Sequence, residues 1–174
     1  LQAAFGYTSE ELTAVLRPMV QDAAEAVGSM GDDTPHAVLS DKYRPLYNYF
    51  KQLFAEVTNP PIDPLREEQV MSLCARLGRR PNILGEGPEH AHLLHLDTPF
   101  LTDEQVATLR CHPDEAFQSV TVRALFKVDV GSDSLERSVA AMCSQAIQAV
   151  NQGKGIVIIS DRGVDRHYAP IPML

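Results

Sequence analysis

Two short β-rich runs, "SVTVRALF" at residues 119–126 and "GIVIISD" at 155–161, bracket a long amphipathic run. That arrangement constrains the fold more than anything else in the chain. Between them, "SLERSVAAMCSQAIQAVNQGKG" places Leu135, Val139, Met142, Ile147 and Val150 at helical spacing and runs out near Gly153. A strand, a long helix and a second apolar strand close as a crossover that brings the chain back in the same direction, so the two strands pair in parallel. The spacing therefore predicts a βαβ unit and an α/β fold class. "AHLLHL", residues 91–96, reads as a further strand.

The front of the chain is helical. In "YTSEEL", Thr8 caps a helix and Glu11 reaches back to it, with Tyr7 and Leu12 as the hydrophobic staple. Leu12, Val15, Leu16 and Met19 follow the helical period, and Pro18 is expected to kink that helix or end it early. "LTDEQV" repeats the device with Thr102, Gln105 and a Leu101–Val106 staple. A third helix is predicted where Leu46, Tyr49, Phe50, Leu53, Phe54 and Val57 line one face after Pro45. Asp63 then caps a fourth, with Pro64 at its first position; Leu65, Val70, Leu73, Cys74 and Leu77 form its expected buried stripe, and Gly78 ends it. The whole reads as one domain over residues 1–174, a helical N-terminal part followed by a sheet-forming part. "GRRPNILGEGPEH", residues 78–90, is a loop within it.

Composition narrows the function classes. A net charge of −8 and a pI near 5.1 leave no basic stripe to neutralise phosphates, which argues against nucleic acid as a partner. No apolar run approaches the ~20 residues of a membrane span. Cys74, Cys111 and Cys143 lie far apart with no C-x-x-C, so they read as free thiols of a reducing, cytoplasmic compartment, without a disulfide framework or iron–sulfur motif. Nothing resembles a signal peptide. The chain starts without methionine and stops just after a strand-like run, and the expectation is a piece of something longer.

Few residues group into recognisable chemistry. "GSMGDDTP", residues 28–35, offers Asp32 and Asp33 to a cation or Ser29 as a nucleophile. Two adjacent aspartates fall short of the six or more oxygens a hard cation needs, and a tight turn explains the stretch as well. His90 and His92 would share one strand face while His95 points the other way, with no cysteine or carboxylate completing a metal set nearby. "GEGPEH" and "NQGKGIVI" lack the glycine order of a dinucleotide fingerprint or a P-loop. Asp161, Arg162 and Asp165 follow a buried strand, where ligands of α/β proteins gather; they equally suit a loop closed by its own polar groups.

The densest information lies in residues that shape backbone. "AFGYTSEEL", "GSMGDDTP", "LSDKYRPLYNYFKQLFAEVTNPPIDPLREEQVMSL", "LGRRPNIL" and "GIVIISDRGVDRHYAPIP" together resemble the central domain of the glutamate synthase large chain, nearly end to end. The chain departs from the family at "DAAEAV" before GSMG and at His36. The resemblance implies a larger enzyme that hydrolyses glutamine, passes ammonia through an internal tunnel and reduces 2-iminoglutarate to glutamate. Its glutaminase domain would precede this segment and its FMN-binding domain would follow, with FMN and an iron–sulfur cluster supplying electrons. This segment itself would bind no cofactor and carry no catalytic residue. It would be about the first two thirds of the central domain, a degenerate or incomplete (β/α) barrel, with its partners in the same parent chain. A cut-out sheet edge would invite self-association.

The resemblance also gives the family's tunnel-bordering stretches a counterpart here, in Gly28, Ser29 and Met30 on one side and Thr58, Asn59 and Pro60 on the other. The chemistry of "VTNPP" suits such a wall. Pro60 and Pro61 have fixed φ and carbonyls without N–H donors, and Asn59 before proline is held extended. A helix stop followed by a proline-first helix start is the plainer alternative for the same residues. Two other functions stay open: a free-standing small-ligand module using Asp161, Arg162 and Asp165, and a scaffold without a tunnel role.

Overall fold

A computed structural model describes residues 1–24, 26, 38, 39, 41, 49, 50 and 61–172. The chain divides into two compact units, Leu1–Pro61 and Ile62–Leu174. The predicted helix over residues 46–57, apart from Tyr49 and Phe50, the aspartates at 32 and 33, and all six tunnel-wall residues (Gly28, Ser29, Met30, Thr58, Asn59 and Pro60) lie outside the described residues.

In the first unit the Thr8 capping box forms. Thr8 Oγ1 accepts from the Glu11 N–H at 3.2 Å, and the Glu11 carboxylate accepts from the Thr8 N–H at 2.7 Å. The helix it starts is built as α1 (Ser9–Glu11), a π-helical stretch (Leu12–Leu16) and α2 (Arg17–Gln21). Pro18 therefore does not end the helix early. The wide π turn just ahead of it, closed by the Arg17 N–H to the Leu12 carbonyl, relieves the crowding a proline ring imposes on the preceding turn. The chain leaves the helix at Ala23, whose φ of 50° is left-handed.

The second unit is mixed α/β. Asp63 caps α3 (Pro64–Val70), its carboxylate accepting from the N–H groups of Leu65 and Arg66 at 3.1 and 3.0 Å. This helix is shorter than predicted. Residues Ala75–Leu77 form strand β1, antiparallel to β2 (Leu94–Leu96), so Cys74 and Leu77 belong to no helix and Gly78 follows a strand. Leu65, Val70 and Leu73 are exposed, and the stripe read as buried is not a core face. "ARL" alternates as a strand does, and pairing with "LHL" decided between two periods the sequence supports equally.

α4 (Asp103–Arg110) starts with the predicted Thr102–Gln105 box. Then β3 (Ser119–Arg123), β4 (Leu125–Lys127), α5 (Ser134–Asn151), β5 (Ile156–Ser160) and β6 (Tyr168–Pro170) follow. β3 and β5 run parallel from Ser119↔Ile156 to Arg123↔Ser160, with α5 as the crossover between β4 and β5, as the spacing predicts. β4 pairs antiparallel with β6. The sheets are small, two strands each.

Leu109, Phe117 and Ile156 form a core cluster against which Leu77, Leu94, Leu101 and Ile158 pack. Val122 and Ala124 are buried at the junction of β3 and β4. The helix α5 turns a stripe of mostly small residues inward. Ser134 and Ala149 are buried, with Leu135, Ser138, Met142 and Ala146 half-buried along the same stripe. Val139, Ile147 and Val150, which mark the helical period in the sequence, are exposed. Ser134 fixes the helix start to the sheet by donating its hydroxyl to the Lys127 carbonyl at 2.6 Å.

Candidate functional site

The carboxyl ends of β3 and β5 lie where the strand formed by β3 and β4 changes partner. At Ala124 the N–H donates to the Ser160 carbonyl at 2.8 Å, and the carbonyl accepts from the Ile171 N–H at 2.9 Å. One residue thus ends the parallel ladder and begins the antiparallel one, and residues 161–167 loop out between the two. Outside the carboxyl ends of parallel strands is where ligands of open α/β sheets gather. It is also where the sequence places Asp161, Arg162 and Asp165.

These three residues do not bond to one another. Arg162 Nη2 donates to Asp103 Oδ1 at 2.5 Å, tying the loop to the first residue of α4. Both side chains are well exposed, so the pair orients more than it stabilises. Asp165 turns back on its own loop: Oδ1 accepts from the N–H groups of His167 and Tyr168 at 2.7 and 2.9 Å. Those bonds, the His167 N–H foremost, hold its carboxyl below the usual range. Asp161 is half-buried and forms no hydrogen bond or ion pair among the described residues. Gly163, at φ 96°, crosses above β3, where a side chain would meet Arg123 Nη2 at 3.4 Å.

The groups that organise this loop were not singled out from sequence. The Arg123 guanidinium lies 4.4 Å from the Tyr168 ring centroid, a cation–π distance. His167 Nδ1 is 2.8 Å from Asp129 Oδ2, and that hydrogen bond raises the His167 pKa above its ordinary value. Strand alternation would have put Arg123 and Lys127 at one edge, but their aromatic partner arrives through the long return of β6. The arrangement is that of a loop braced by its own side chains, with two of the three candidate residues committed to bracing it.

The histidines separate in the same way. His92 Nε2 is 3.4 Å from Asp114 Oδ2, and His95 Nε2 is 3.4 Å from Asp97 Oδ1. The edge of His92 also meets Phe117 with ring centroids 5.1 Å apart. No group of three or more His, Cys, Asp or Glu that could hold a metal ion exists among the described residues. Cys74, Cys111 and Cys143 are free, as read, but all three are exposed rather than buried or half-buried. No helix among the described residues is long and apolar enough to cross a membrane.

Comparison with known proteins places this geometry in context. The family model for the glutamate synthase central domain matches residues 1–174. The glutamate synthase [NADPH] large chain of Azospirillum brasilense is 43% identical over 99% of this chain, and that of Bacillus subtilis is 42% identical over 99%. A ferredoxin-dependent glutamate synthase of Pyropia yezoensis is 36% identical over the whole of it. The chain spans 11% of the length of each of these three relatives.

Proposed function

Because the chain belongs to the glutamate synthase central domain family, we propose that it is a connecting segment of a glutamate synthase large chain. It holds the glutaminase and FMN-binding parts of the parent chain in register and lines part of the passage that carries ammonia between them. The observation that supports this reading is the match over all 174 residues to a family whose relatives are about nine times longer, 11% of each being covered. The segment is then one component of a cytoplasmic machine that converts glutamine, 2-oxoglutarate and reductant into glutamate. Its α/β unit reads as part of a degenerate (β/α) barrel, and the 174 residues as one stretch of a single central domain.

The FMN and iron–sulfur chemistry belongs elsewhere in the parent chain. The described residues do not fit a cluster: three exposed cysteines stand apart, and no metal-capable group of three forms among them. A small-ligand site at Asp161, Arg162 and Asp165 has less support, since Asp103 and the loop amides already occupy two of the three.

The tunnel role rests on Gly28, Ser29, Met30, Thr58, Asn59 and Pro60. Asn59→Trp in the full-length enzyme is expected to leave glutamine hydrolysis measurable while glutamate formation from glutamine falls. Formation of glutamate from added ammonia should be spared. Full coupling of hydrolysis to glutamate formation in this variant would remove the conduit from the reading and leave a scaffold.

A further inference from the structure

At the amino ends of β3 and β5, away from the loop at 161–167, the second unit holds a depression of about 540 Å³. Arg79, Asn82, Glu89, His92, Glu115 and Gly153 line it. The volume is in the range of small-molecule sites, and the lining mixes apolar surface, Pro81 and Ala116 among it, with charged groups of both signs. Each charged group is delivered by a separate piece of local structure. Arg79 follows the end of β1, Glu89 sits in the 3-10 turn Pro88–Ala91, and Glu115 opens the 3-10 turn Glu115–Phe117. Close contacts back the wall between them. His92 is held by Asp114 and the edge of Phe117, and Gly155 lies against the Ala116 carbonyl closely enough to exclude any side chain.

One guanidinium and two carboxylates therefore share a depression, yet among the described residues none of Arg79, Glu89 and Glu115 forms an ion pair. Opposite charges that line one space without touching leave room for a ligand carrying both signs. A guanidinium takes a carboxylate through two parallel N–H donors, and carboxylates take an ammonium. Asn82 adds an amide able to donate and accept. We propose that this depression, lined by Arg79, Glu89 and Glu115, is a binding site for a free α-amino acid. Arg79 holds the ligand carboxylate, and Glu89 and Glu115 hold its ammonium. The inference stands apart from the tunnel reading, since it uses none of the residues assigned there.

The test is site-resolved protection in the full-length protein that carries this chain. Phenylglyoxal labels arginine, and mass spectrometry of the peptides reads the labelling rate of Arg79 against Arg76 and Arg110, two exposed arginines outside the depression. The probe is an equimolar mixture of the twenty common L-amino acids. It is expected to slow labelling of Arg79 about tenfold, with Arg76 and Arg110 unchanged, an effect of the size of one charge-assisted contact. Glutarate and n-butylamine, each carrying one sign of charge, should protect far less. Glu115→Gln should raise the concentration needed for half-protection about tenfold, whereas Glu136→Gln on α5 should leave it alone. Absence of selective protection of Arg79 would overturn the proposal, as would equal protection by glutarate. If Glu115→Gln fails to fold, Glu89→Gln makes the same test.

Discussion

Two glycines in "NQGKGI" should fail differently when given a methyl group. Gly155 precedes β5, and a Cβ there would lie 2.1 Å from the Ala116 carbonyl oxygen and 3.2 Å from its carbon. The obstacle is backbone, so it cannot swing aside. Gaining more than about 1 Å of clearance means lifting the start of β5 away from the 115–118 turn. That movement strains the bonds by which Gly155 and Ile156 donate to the Gln118 carbonyl at 3.1 and 3.3 Å. Overpacking costs about 1–3 kcal/mol, and losing one such bond adds about 1 kcal/mol. Gly155→Ala should therefore cost about 3 kcal/mol, a large share of a typical ~5–15 kcal/mol stability. Gly153, two residues earlier, meets nothing within 4 Å, but its φ is 80°. Gly153→Ala should cost only the left-handed strain, about 1 kcal/mol, and Gly153→Asn less. Urea unfolding read at the midpoint, with unchanged m, gives both numbers. A Gly155→Ala variant as stable as Gly153→Ala, or more so, would refute the close approach of residues 116 and 155.

Ser134→Ala should cost about 1–2 kcal/mol in the same urea assay, because it removes a buried hydroxyl from the Lys127 carbonyl; a loss under about 0.5 kcal/mol would mean the bond contributes little. The 161–167 loop should have a pH window. His167 has a raised pKa, so its contribution is full below the ordinary 6.5 and is lost as pH rises through the folded value. Asp165 has a lowered pKa, so its contribution is full above the ordinary 3.8 and is lost as pH falls through the folded value. The loop is held best between those limits. Asp129→Asn should bring the His167 titration, followed by imidazole NMR, back toward 6.5, and an unchanged titration would contradict the 2.8 Å contact.

Features written in consecutive residues were the legible ones. The caps at Thr8, Asp63 and Thr102 each need only three or four neighbouring residues, and all three form. The parallel pairing of β3 with β5 followed from the length of the helix between them. What failed depended on distant partners. Leu73, Cys74 and Leu77 fit a helical stripe, but Leu94–Leu96 claims residues 75–77 as a strand. On α5 the apolar residues that mark the helical period divide, Leu135 and Met142 turning inward while Val139, Ile147 and Val150 are exposed. The inward stripe is Ser134, Ser138, Ala146 and Ala149 with Leu135 and Met142, so small side chains face in, and a ranking by hydrophobicity misses them. At the strand ends, Asp161, Arg162 and Asp165 were found as polar residues in the right place. The groups that brace the loop were not, because Asp103 reaches Arg162, Asp129 reaches His167 and Arg123 reaches Tyr168 only through the fold.

The position of Ala124 has a consequence for how the second unit comes apart. Its amide belongs to one ladder and its carbonyl to the other, and its side chain is fully buried. Neither ladder can open at that end without disturbing the peptide the other depends on. The two small sheets should therefore exchange their amide hydrogens as a single cooperative block, with Ala124 and Ile171 as slow as Val122, while the exposed loop between them exchanges faster.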